Sequence, residues 1–563
     1  MGGHVNMMDD VLISNLSPDL LRSSLRQLIS LCRENRQAFL KHTRGKLEAA
    51  QSQHAESQTL FPEPNVASEE CLKYLTDTRC LLSAQMPFET LSRLTHFCQS
   101  ITMANASWTP GSELEGVLET FSGDIVQSMQ ALKESGLPAD DHLKQQLQAL
   151  AKTLVDCKRH CLDKKPEPLT FPLRRALRQV YDVYSFFFPS ASALDAVDDA
   201  DARIEINPTS SSHVETVKLG QLQFPRLLNG FWQLSSPAWG SASAESQDEA
   251  LKALVEAGLT AADMADHYGD AELVYGSFRN RLHPDIQERV YAATKWCVFK
   301  QVTVPITESW VLQNVEARYR RLGGRVDLLQ FHWYNYDEDG WLFILESLVR
   351  LTKSRPDLVR AIGLCNFDSQ RTEEVCEHLL RTTGEVGIVS NQVQFSLVDS
   401  RPLQKMSAVC EKYGLKLLTY GSFSGGLVSE RWIGAPAPEP YSASAKLTPS
   451  QRKYYDMVMS WGTWTEFQEL LRRLATVGSK HKVSLTVVAS RWVLQQPAVG
   501  AVIVGTRLGV SMHGNENLHV FDFTLSEDDL SFINEAALGK EMEKSRALYS
   551  KIGDCGHEYH SVY

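Results

Sequence analysis

The chain has 563 residues, and its hydrophobic content of 43% and charged content of 22% are ordinary for a folded globular protein. Because a single hydrophobic core stops growing near about 250 to 300 residues, we expect two domains. The formal net charge of -11 leaves no basic footprint for nucleic acid and no polybasic attraction to acidic lipid. A small molecule or a protein is therefore the expected partner.

The eleven cysteines are scattered without zinc-finger spacing, and the first residues, MGGHVNMMDDVL, lack the basic and then apolar order of a signal peptide. We expect reduced thiols, no bound metal and a cytoplasmic protein. Asn6 stands where a myristoylation signal at Gly2 needs Ser or Thr, so no lipid attachment is expected. No apolar run reaches the roughly 18 residues that would span a bilayer, so the protein is not expected in a membrane.

Residues 1–189 carry helical patterns and no convincing strand. Ser17 followed by Pro18 is a helix-start signal, and leucines at helical spacing continue the pattern across residues 17–50. Further helical patterns cover 68–83, 87–103, 112–135 and 140–163, and the breakers FPEPN, WTPGS and GLP lie between them. These patterns predict an all-helical domain. Helix pairs of a solenoid remain an alternative, although no repeat of fixed period is visible.

One stripe of the predicted helical domain alternates steps of four and three residues: Leu143, Leu147, Leu150, Leu154, Cys157 and Cys161. The stripe indicates the buried face of a helix in a bundle, which favours a core role for the two cysteines over a redox or metal pair. Residues 166–188 mix basic and aromatic side chains, and a core helix or domain contact is favoured there over a membrane-surface helix. Residues 190–212 have the Ser, Ala and Asp content of a linker.

From residue 213 to residue 563, apolar runs alternate with helical patterns, as in βα units. The candidate strands are LLNGFWQL, TAADMADHY, RVYAATKW, VDLLQFHW, AIGLCNF, GIVSNQVQF, LKLLTYGS and GAVIVGT. Eight such units within about 320 residues predict an α/β domain folded as a closed (β/α)8 TIM barrel rather than an open sheet. No G-x-G-x-x-G follows the first strand, as a Rossmann dinucleotide site would require.

Four ionisable side chains fall at the C-terminal ends of three successive predicted strands: Asp263, Tyr268, Lys295 and His332. That end of a (β/α)8 barrel is where active sites are built. A lysine ammonium beside a tyrosine favours the phenolate, so Lys295 would activate the Tyr268 hydroxyl while Asp263 holds the lysine charged. His332 could direct a ring N–H at a carbonyl oxygen. Reduction of such a carbonyl needs a hydride, which a nicotinamide cofactor supplies.

Residues 217 to about 540 resemble the aldo-keto reductase family. The motifs NGFWQLS with a following WG, DMADHYGDAE, ATKW, LLQFHW, IGLCNF, VSNQVQFS and LTYGS stand in the family's order and at its spacing. The stretches GTRLGVSMHGNENL and IGDCGHEY are similar to a plant-type branch of the family. The resemblance implies reduction of an aldehyde or ketone to the alcohol, with hydride from reduced nicotinamide and the proton from Tyr268.

The resemblance also implies a cofactor groove. Asn366 and Gln392 match the family's ligands of the nicotinamide carboxamide, and Tyr420 matches the ring that stacks on the nicotinamide. Cys365 replaces the family's serine, which exchanges a strong hydroxyl donor for a weak thiol and predicts weaker binding.

The phosphate and adenosine end of the same groove is implied after the eighth strand. The matching residues are Gly505, Thr506 and Arg507 for the phosphates, and His513, Glu516 and Asn517 for the adenosine part. His513 stands where many members carry the arginine for the 2′-phosphate. NADPH is favoured over NADH because Arg507 can still donate two hydrogen bonds to a phosphate.

Aromatic residues around the tetrad suggest walls for an apolar or aromatic carbonyl substrate: Trp232, Trp239, Trp296, Trp333 and Tyr334. Strand-end aromatics are also common core residues. Residues 428–464 predict a long loop over the barrel mouth, followed by a short helix, that shapes the pocket.

Two function classes fit the sequence. The first is a carbonyl-reducing enzyme. The second is a nucleotide-sensing subunit or scaffold that uses the same barrel and recruits a protein partner through the helical domain, because one fold hosts many functions. The intact tetrad favours the enzyme. A separate activity of the helical domain is not favoured, because that domain shows no nucleophile with a base, no metal spacing and no phosphate loop.

Overall fold

The computed structural model describes residues 12–51, 60–165, 167–189, 203–207, 213–235, 240, 242–442, 447–511 and 514–560. The interpretations made for Gly2, Asn6, Trp239 and His513, and for most of the linker at 190–212, lie outside these residues. Across the described ranges, no helix is both long and apolar enough to cross a membrane.

The N-terminal part of the described chain is helical. Its main helices are α1 (Pro18–Leu31), α2 (Arg33–Gln51), α3 (Glu69–Ser83), α4 (Pro87–Met103), α5 (Glu113–Ser135), α6 (Asp141–Asp163) and α7 (Arg174–Phe187). The predicted helices are confirmed, except that the pattern across 17–50 is two helices because Cys32 adopts an extended conformation. Ser17, Ser68, Ser112 and Asp140 cap α1, α3, α5 and α6 by accepting a backbone N–H.

The helical part has a hydrophobic core of its own, to which α3 to α7 contribute. The predicted stripe of α6 is fully buried, and the Cys157 thiol donates a hydrogen bond to the carbonyl oxygen of Cys98 at 3.2 Å. Phe97 and Phe121 join α4 to α5 with ring centroids 4.2 Å apart. The core role of Cys157 and Cys161 is therefore confirmed, and all eleven cysteines are free thiols.

A closed barrel of parallel strands follows. A hairpin of β1 (Thr216–Leu219) and β2 (Leu222–Pro225) precedes it; these strands of four residues each were not among the predicted strands. The barrel strands are β3 (Leu227–Gly230), β4 (Ala261–Asp263), β5 (Tyr291–Val298), β6 (Val326–Trp333), β7 (Val359–Cys365), β8 (Ile388–Gln394), β9 (Lys416–Tyr420) and β10 (Val499–Gly505). Each pairs with the next and β10 closes on β3, so the predicted (β/α)8 fold is confirmed.

Helices surround the barrel. They are α8 (Ala244–Glu256), α9 (Ala271–Asn280), α10 (Pro284–Gln287), α11 (Glu308–Arg321), α12 (Trp341–Ser354), α13 (Ser369–Thr383), α14 (Met406–Tyr413), α15 (Pro449–Trp461), α16 (Trp464–His481), α17 (Leu485–Leu494), α18 (Gly514–Leu518), α19 (Glu527–Ala537), α20 (Glu543–Ile552) and α21 (His557–His560). The short helix expected after the loop within residues 428–464 is α15.

The period of two along each strand decides which side chains can reach a site inside the barrel. Leu228, Ala293, Leu328 and Leu418 belong to a cluster that fills the barrel interior together with Phe224 of the hairpin. Side chains on the opposite faces of the strands pack against the helices in a second, larger cluster. Polar residues on the same inward face, at the C-terminal ends of the strands, therefore point into the barrel at that end.

Candidate active site

The centre of the site is a buried ion pair between adjacent strands. Asp263 ends β4, and Lys295 lies two residues beyond the inward-facing Ala293 on β5. Lys295 Nζ donates to Asp263 Oδ2 at 2.6 Å and to the carbonyl oxygen of Met264 at 2.9 Å. Burial lowers the pKa of Lys295, but the Asp263 carboxylate outweighs burial and holds that pKa well above its usual value. The lysine is thus a fixed positive charge inside the barrel.

Two glutamines complete the coordination of the carboxylate. Gln330 Nε2 and Gln392 Nε2 both donate to Asp263 Oδ1 at 2.8 Å, and Gln392 Nε2 also lies 2.8 Å from Gln330 Oε1. The family resemblance implied a carboxamide contact for Gln392 and no role for Gln330, which lies two residues before His332 on the same strand face. The structure places the Gln392 amide on the carboxylate network.

Tyr268 lies against this ion pair, in the loop between β4 and α9. Lys295 Nζ is 4.9 Å from the centroid of the Tyr268 ring. Burial raises the pKa of the Tyr268 hydroxyl well above its usual value, and the positive charge of Lys295 offsets only part of that rise. The hydroxyl therefore carries its proton at neutral pH.

His332 completes the tetrad from the inward face of β6. Its Nδ1 lies 3.0 Å from the carbonyl oxygen of Cys365, and because a carbonyl oxygen only accepts, Nδ1 carries a hydrogen. Neutral His332 then has its lone pair on Nε2, and only the imidazolium form can donate from Nε2 as well. The structure thus brings Asp263, Tyr268, Lys295 and His332 to one end of the barrel.

The residues expected at the nicotinamide end of a cofactor lie on neighbouring strands. Cys365, Gln392 and Tyr420 stand near the C-terminal ends of β7, β8 and β9, which are adjacent in the barrel. Asn366 follows Cys365 with a φ of 57°, a left-handed conformation that asparagine tolerates better than most residues. The Tyr420 hydroxyl donates to Asn366 Oδ1 at 3.0 Å. Burial raises the pKa of the Cys365 thiol to about 12, so it stays protonated.

The expected phosphate end follows the next strand of the same row. Gly505 ends β10, and Arg507 Nε donates to Ser511 Oγ at 3.1 Å in a half-buried turn. The Thr506 hydroxyl donates to the carbonyl oxygen of Val504 at 3.2 Å. Glu516 and Asn517 lie on the short helix α18, where Glu516 is exposed and Asn517 half-buried.

The expected aromatic walls are divided between the two strand faces. Trp232 is half-buried in the turn directly after β3. Trp296 instead packs on Trp310 of α11, and Trp333 is 1% exposed within the helix-facing core. Both occupy the strand face opposite to Lys295 and His332, which corrects the expectation that they line the pocket. Tyr334, which follows Trp333, is 8% exposed.

Other aromatic groups lie next to the tetrad. Phe299 has its ring centroid 5.3 Å from His332 and 4.9 Å from His267. Tyr559 of the C-terminal helix α21 has its ring 5.9 Å from His332 at an interplanar angle of 84°. Phe299 lies an even number of residues after Lys295, and on an extended strand this spacing places both side chains on the same face, so the sequence could have indicated Phe299. No local sequence signal links Tyr559 to His332, which is distant in the chain.

The C-terminal segment is fastened across the end of the barrel. The Tyr559 hydroxyl lies 3.0 Å from the Tyr420 hydroxyl. Lys453, on α15, donates from Nζ to the Tyr559 hydroxyl at 2.8 Å. Arg401, which is 1% exposed, donates to both carboxylate oxygens of Glu558 at 3.0 Å. A Cβ on Gly556 would lie 2.0 Å from the carbonyl oxygen of Asn366, so only glycine permits this close approach.

Asp266, His267 and Cys297 also cluster at the site, with one ligand atom of each within 4.8 Å of the others. The Asp266 carboxylate already pairs with Arg318, and this guanidinium together with His267 holds the pKa of Asp266 well below its usual value against the effect of burial. The positive charge of Arg318 at the Asp266 carboxylate disfavours binding of a metal cation there, so the cluster fits an ion-pair network.

Residues 226–537, more than half of the chain, match the model of the aldo/keto reductase family. The chain belongs to the aldo/keto reductase family. This match covers every barrel strand and excludes the helical N-terminal part. The family's members are oxidoreductases that act on carbonyl compounds with NAD(P)H.

Individual relatives are distant in sequence. The aldo-keto reductase YhdN of Bacillus subtilis (strain 168) is 21% identical over 322 residues, which cover 56% of this chain and 90% of that protein. The methylglyoxal reductase DkgA of Yersinia pestis is 23% identical, with coverage of 56% and 91%. The flagellar radial spoke protein 5 of Chlamydomonas reinhardtii is 30% identical over 181 residues; this match spans 30% of this chain and about a third (33%) of that protein.

Among solved structures, the thermostable aldo-keto reductase Tm1743, in a complex with the inhibitor epalrestat, shares 21% sequence identity with this chain. The likeness covers 57% of this chain and 99% of that one, with a TM-score of 0.42.

Proposed function

We propose that this aldo/keto reductase is an NADPH-dependent enzyme that reduces an aldehyde or ketone to the alcohol. The observation that carries the proposal is the position of the Tyr268 ring against the buried Lys295–Asp263 pair at the C-terminal end of the barrel. An ion pair that only stabilised the barrel would not need a phenol at 4.9 Å from its ammonium. A buried perturbed group with a specific charge partner is typical of a functional site.

The chain's own residues would move one proton. The Tyr268 hydroxyl holds that proton in the resting site and would donate it to the substrate oxygen as negative charge develops there. The Lys295 ammonium stabilises the phenolate that remains, and Asp263 keeps Lys295 charged. His332, as the imidazolium, would donate from Nε2 to the same substrate oxygen.

The residues on β7 to β10 fit a nicotinamide dinucleotide. When bound, the cofactor supplies the hydride. The chemistry of the donor set supports this fit: an asparagine amide and a tyrosine ring at the ends of β7 and β9 suit a carboxamide and a flat ring, and Arg507 after β10 suits a phosphate. Asn366 and Tyr420 would hold the nicotinamide; Gln392 would act through the Asp263 network, to which its amide is already bonded.

NADPH is proposed over NADH, with Arg507 as the ligand of the 2′-phosphate. A planar guanidinium can donate two parallel hydrogen bonds to a phosphate, which a neutral side chain at the same place cannot. The proposed substrate is an apolar or aromatic carbonyl compound, because Phe299 and Tyr559 lie next to His332. The free state of all eleven thiols supports a reducing, cytoplasmic location.

A panel of aldehydes and ketones, assayed for turnover with NADPH and with NADH, tests the proposal. We expect oxidation of NADPH by at least one apolar carbonyl compound, with a lower kcat/KM for NADH. Absence of turnover by the full-length protein on every compound, at cofactor concentrations that saturate binding, would refute the enzyme proposal. The Tyr268→Phe protein serves as the inactive control.

A structural role is the second candidate, and one observation favours it. The 30% identity with flagellar radial spoke protein 5 is higher than that with the reductases named above. In this alternative the barrel binds nucleotide as a sensor or scaffold, and the helical domain recruits a protein partner in a flagellar assembly. Tagged protein that binds NADPH, turns over no carbonyl and co-sediments with axonemes from ciliated cells would support it.

A further inference from the structure

The loop that carries Tyr268 is held by ion pairs to two helices. Besides Asp263, the stretch DMADHYGDAE holds three carboxylates that flank the tyrosine: Asp266, Asp270 and Glu272. Asp266 pairs with Arg318 and Glu272 with Arg321, and both arginines belong to α11 of the barrel. The Thr294 hydroxyl also donates to Glu272 Oε1 at 2.5 Å. Two of the three carboxylates are therefore fixed by the barrel itself.

The third carboxylate is fixed by the helical domain. Arg175 of α7 donates from Nε to Asp270 Oδ2 at 2.8 Å and from Nη2 to Asp270 Oδ1 at 2.6 Å. Arg175 is 8% exposed and Asp270 is 1% exposed, so the fork is removed from solvent. Aspartate is a favoured N-cap, yet Asp270 at the start of α9 makes no side-chain cap hydrogen bond. Its carboxylate is directed at the other domain instead.

Packing supports the same contact. Gly269, between Tyr268 and Asp270, has a φ of +59°, and a Cβ there would lie 3.0 Å from Val126 Cγ1 of α5. Beyond the loop, Lys300 donates to the carbonyl oxygen of Glu134 at the end of α5. Helices α5 and α7 thus contact the loop next to the tetrad at Gly269 and Asp270.

We propose that Arg175 is a positioning residue for catalysis, and that the helical domain completes the active site by clamping the Tyr268 loop through Asp270. The inference rests on the proposed reductase function for its catalytic part. Proton transfer requires the Tyr268 hydroxyl to stay within hydrogen-bond reach of the substrate oxygen. Asp270, two residues after Tyr268, carries a buried charge, and Arg175 is the only arginine among the described residues that pairs with it. The domain therefore has a role within the enzyme as well as any role towards a protein partner.

The test compares Arg175→Gln with Arg174→Gln in the full-length protein. Arg174 is the neighbouring residue and faces the more exposed Glu245 at 3.8 Å, so it is a matched control. Hydrogen–deuterium exchange of the peptide covering residues 264–275 should rise for Arg175→Gln and stay at the wild-type level for Arg174→Gln. The kcat should fall on the order of ten- to hundred-fold, with little change in the KM for the carbonyl compound or in the Kd for NADPH.

Asp270→Asn keeps the shape of the side chain and removes its charge, so it should reproduce both effects even where Arg175→Gln folds poorly. Arg175→Lys keeps the charge without the two-pronged geometry and should restore kcat in part. If Asp270→Asn leaves both the exchange of residues 264–275 and the kcat unchanged, the inference is overturned. A uniform rise in exchange over the whole chain in Asp270→Asn and in Arg175→Gln would also overturn it. A wild type without turnover would refute the proposed function, while the exchange comparison would still decide whether Arg175 holds the loop.

Discussion

Lys295 Nζ lies 2.6 Å from Asp263 Oδ2, and these two residues are 2% and 3% exposed at the centre of the barrel end. Breaking a buried pair by removing one partner leaves an uncompensated charge, which costs about 3–5 kcal/mol of the free energy of unfolding. We expect Asp263→Asn to destabilise the protein by that amount in urea unfolding, provided that the unfolding is two-state. Lys295→Met combined with Asp263→Asn should recover part of the loss; equal stability of wild type and Asp263→Asn would contradict the buried ion pair.

The pH dependence of the same pair has a definite sign. Asp263 holds the pKa of Lys295 above its usual value, which is also its value in the unfolded chain. A group with a raised folded pKa stabilises the protein fully below its unfolded pKa, about 10.4 for lysine, and loses that contribution as the pH rises towards the folded value. The difference in stability between wild type and Lys295→Met should therefore be constant through neutral pH and shrink only in alkaline urea titrations.

Tyr268→Phe removes the proposed proton donor and keeps the ring. We expect carbonyl reduction to fall by a factor of about 10² to 10⁴, the usual contribution of a positioned acid, while the NADPH Kd measured by fluorescence quenching stays near the wild-type value. Tyr275→Phe is a matched control, because the Tyr275 hydroxyl donates to the carbonyl oxygen of Tyr291 at 2.8 Å, away from the tetrad. Full activity of Tyr268→Phe would exclude the tyrosine as the donor.

Cys365→Ser restores the hydroxyl that the family resemblance implies at the carboxamide position. The thiol has a pKa of about 12 because it is buried, so it is present as a weak neutral donor. A hydroxyl hydrogen bond in its place should stabilise bound cofactor by about 0.5–1.5 kcal/mol, seen as a several-fold lower NADPH Kd. Cys376→Ser, in the helix-facing core, is the control and should leave the Kd unchanged. A Kd for Cys365→Ser equal to that of the wild type would show that residue 365 does not contact the cofactor.

Tyr559→Ala should enlarge the pocket next to His332. The Tyr559 ring lies 5.9 Å from the His332 ring, and its hydroxyl is held by Tyr420 and Lys453. The kcat/KM for a bulky aldehyde relative to a small one should rise on the order of ten-fold, as expected for removal of a wall of an apolar pocket. Tyr549→Ala on α20 is the comparison; an equal effect there would indicate general loosening of the C-terminal segment.

Much of this architecture follows from local patterns. The period of apolar residues identified the helices of the N-terminal part and every barrel strand, because each element buries one face or one stripe wherever it lies in the chain. The tetrad was also accessible, since strand ends in a parallel barrel converge on one face. The same reasoning assigned Trp296 and Trp333 to the pocket because it used proximity in sequence; alternation along β5 and β6 turns them to the helices.

Long-range contacts could not be found in this way. Nothing near Arg175 indicates that its guanidinium meets Asp270, and nothing near Tyr559 indicates His332 or Tyr420. Many acidic and aromatic residues in the sequence could pair equally well with a given charge or ring. The three-dimensional path of the chain therefore decides which of them is the partner. The sequence by itself determined the barrel and its four polar strand-end groups; only the tertiary structure decided which distant domain and which C-terminal residues cover them.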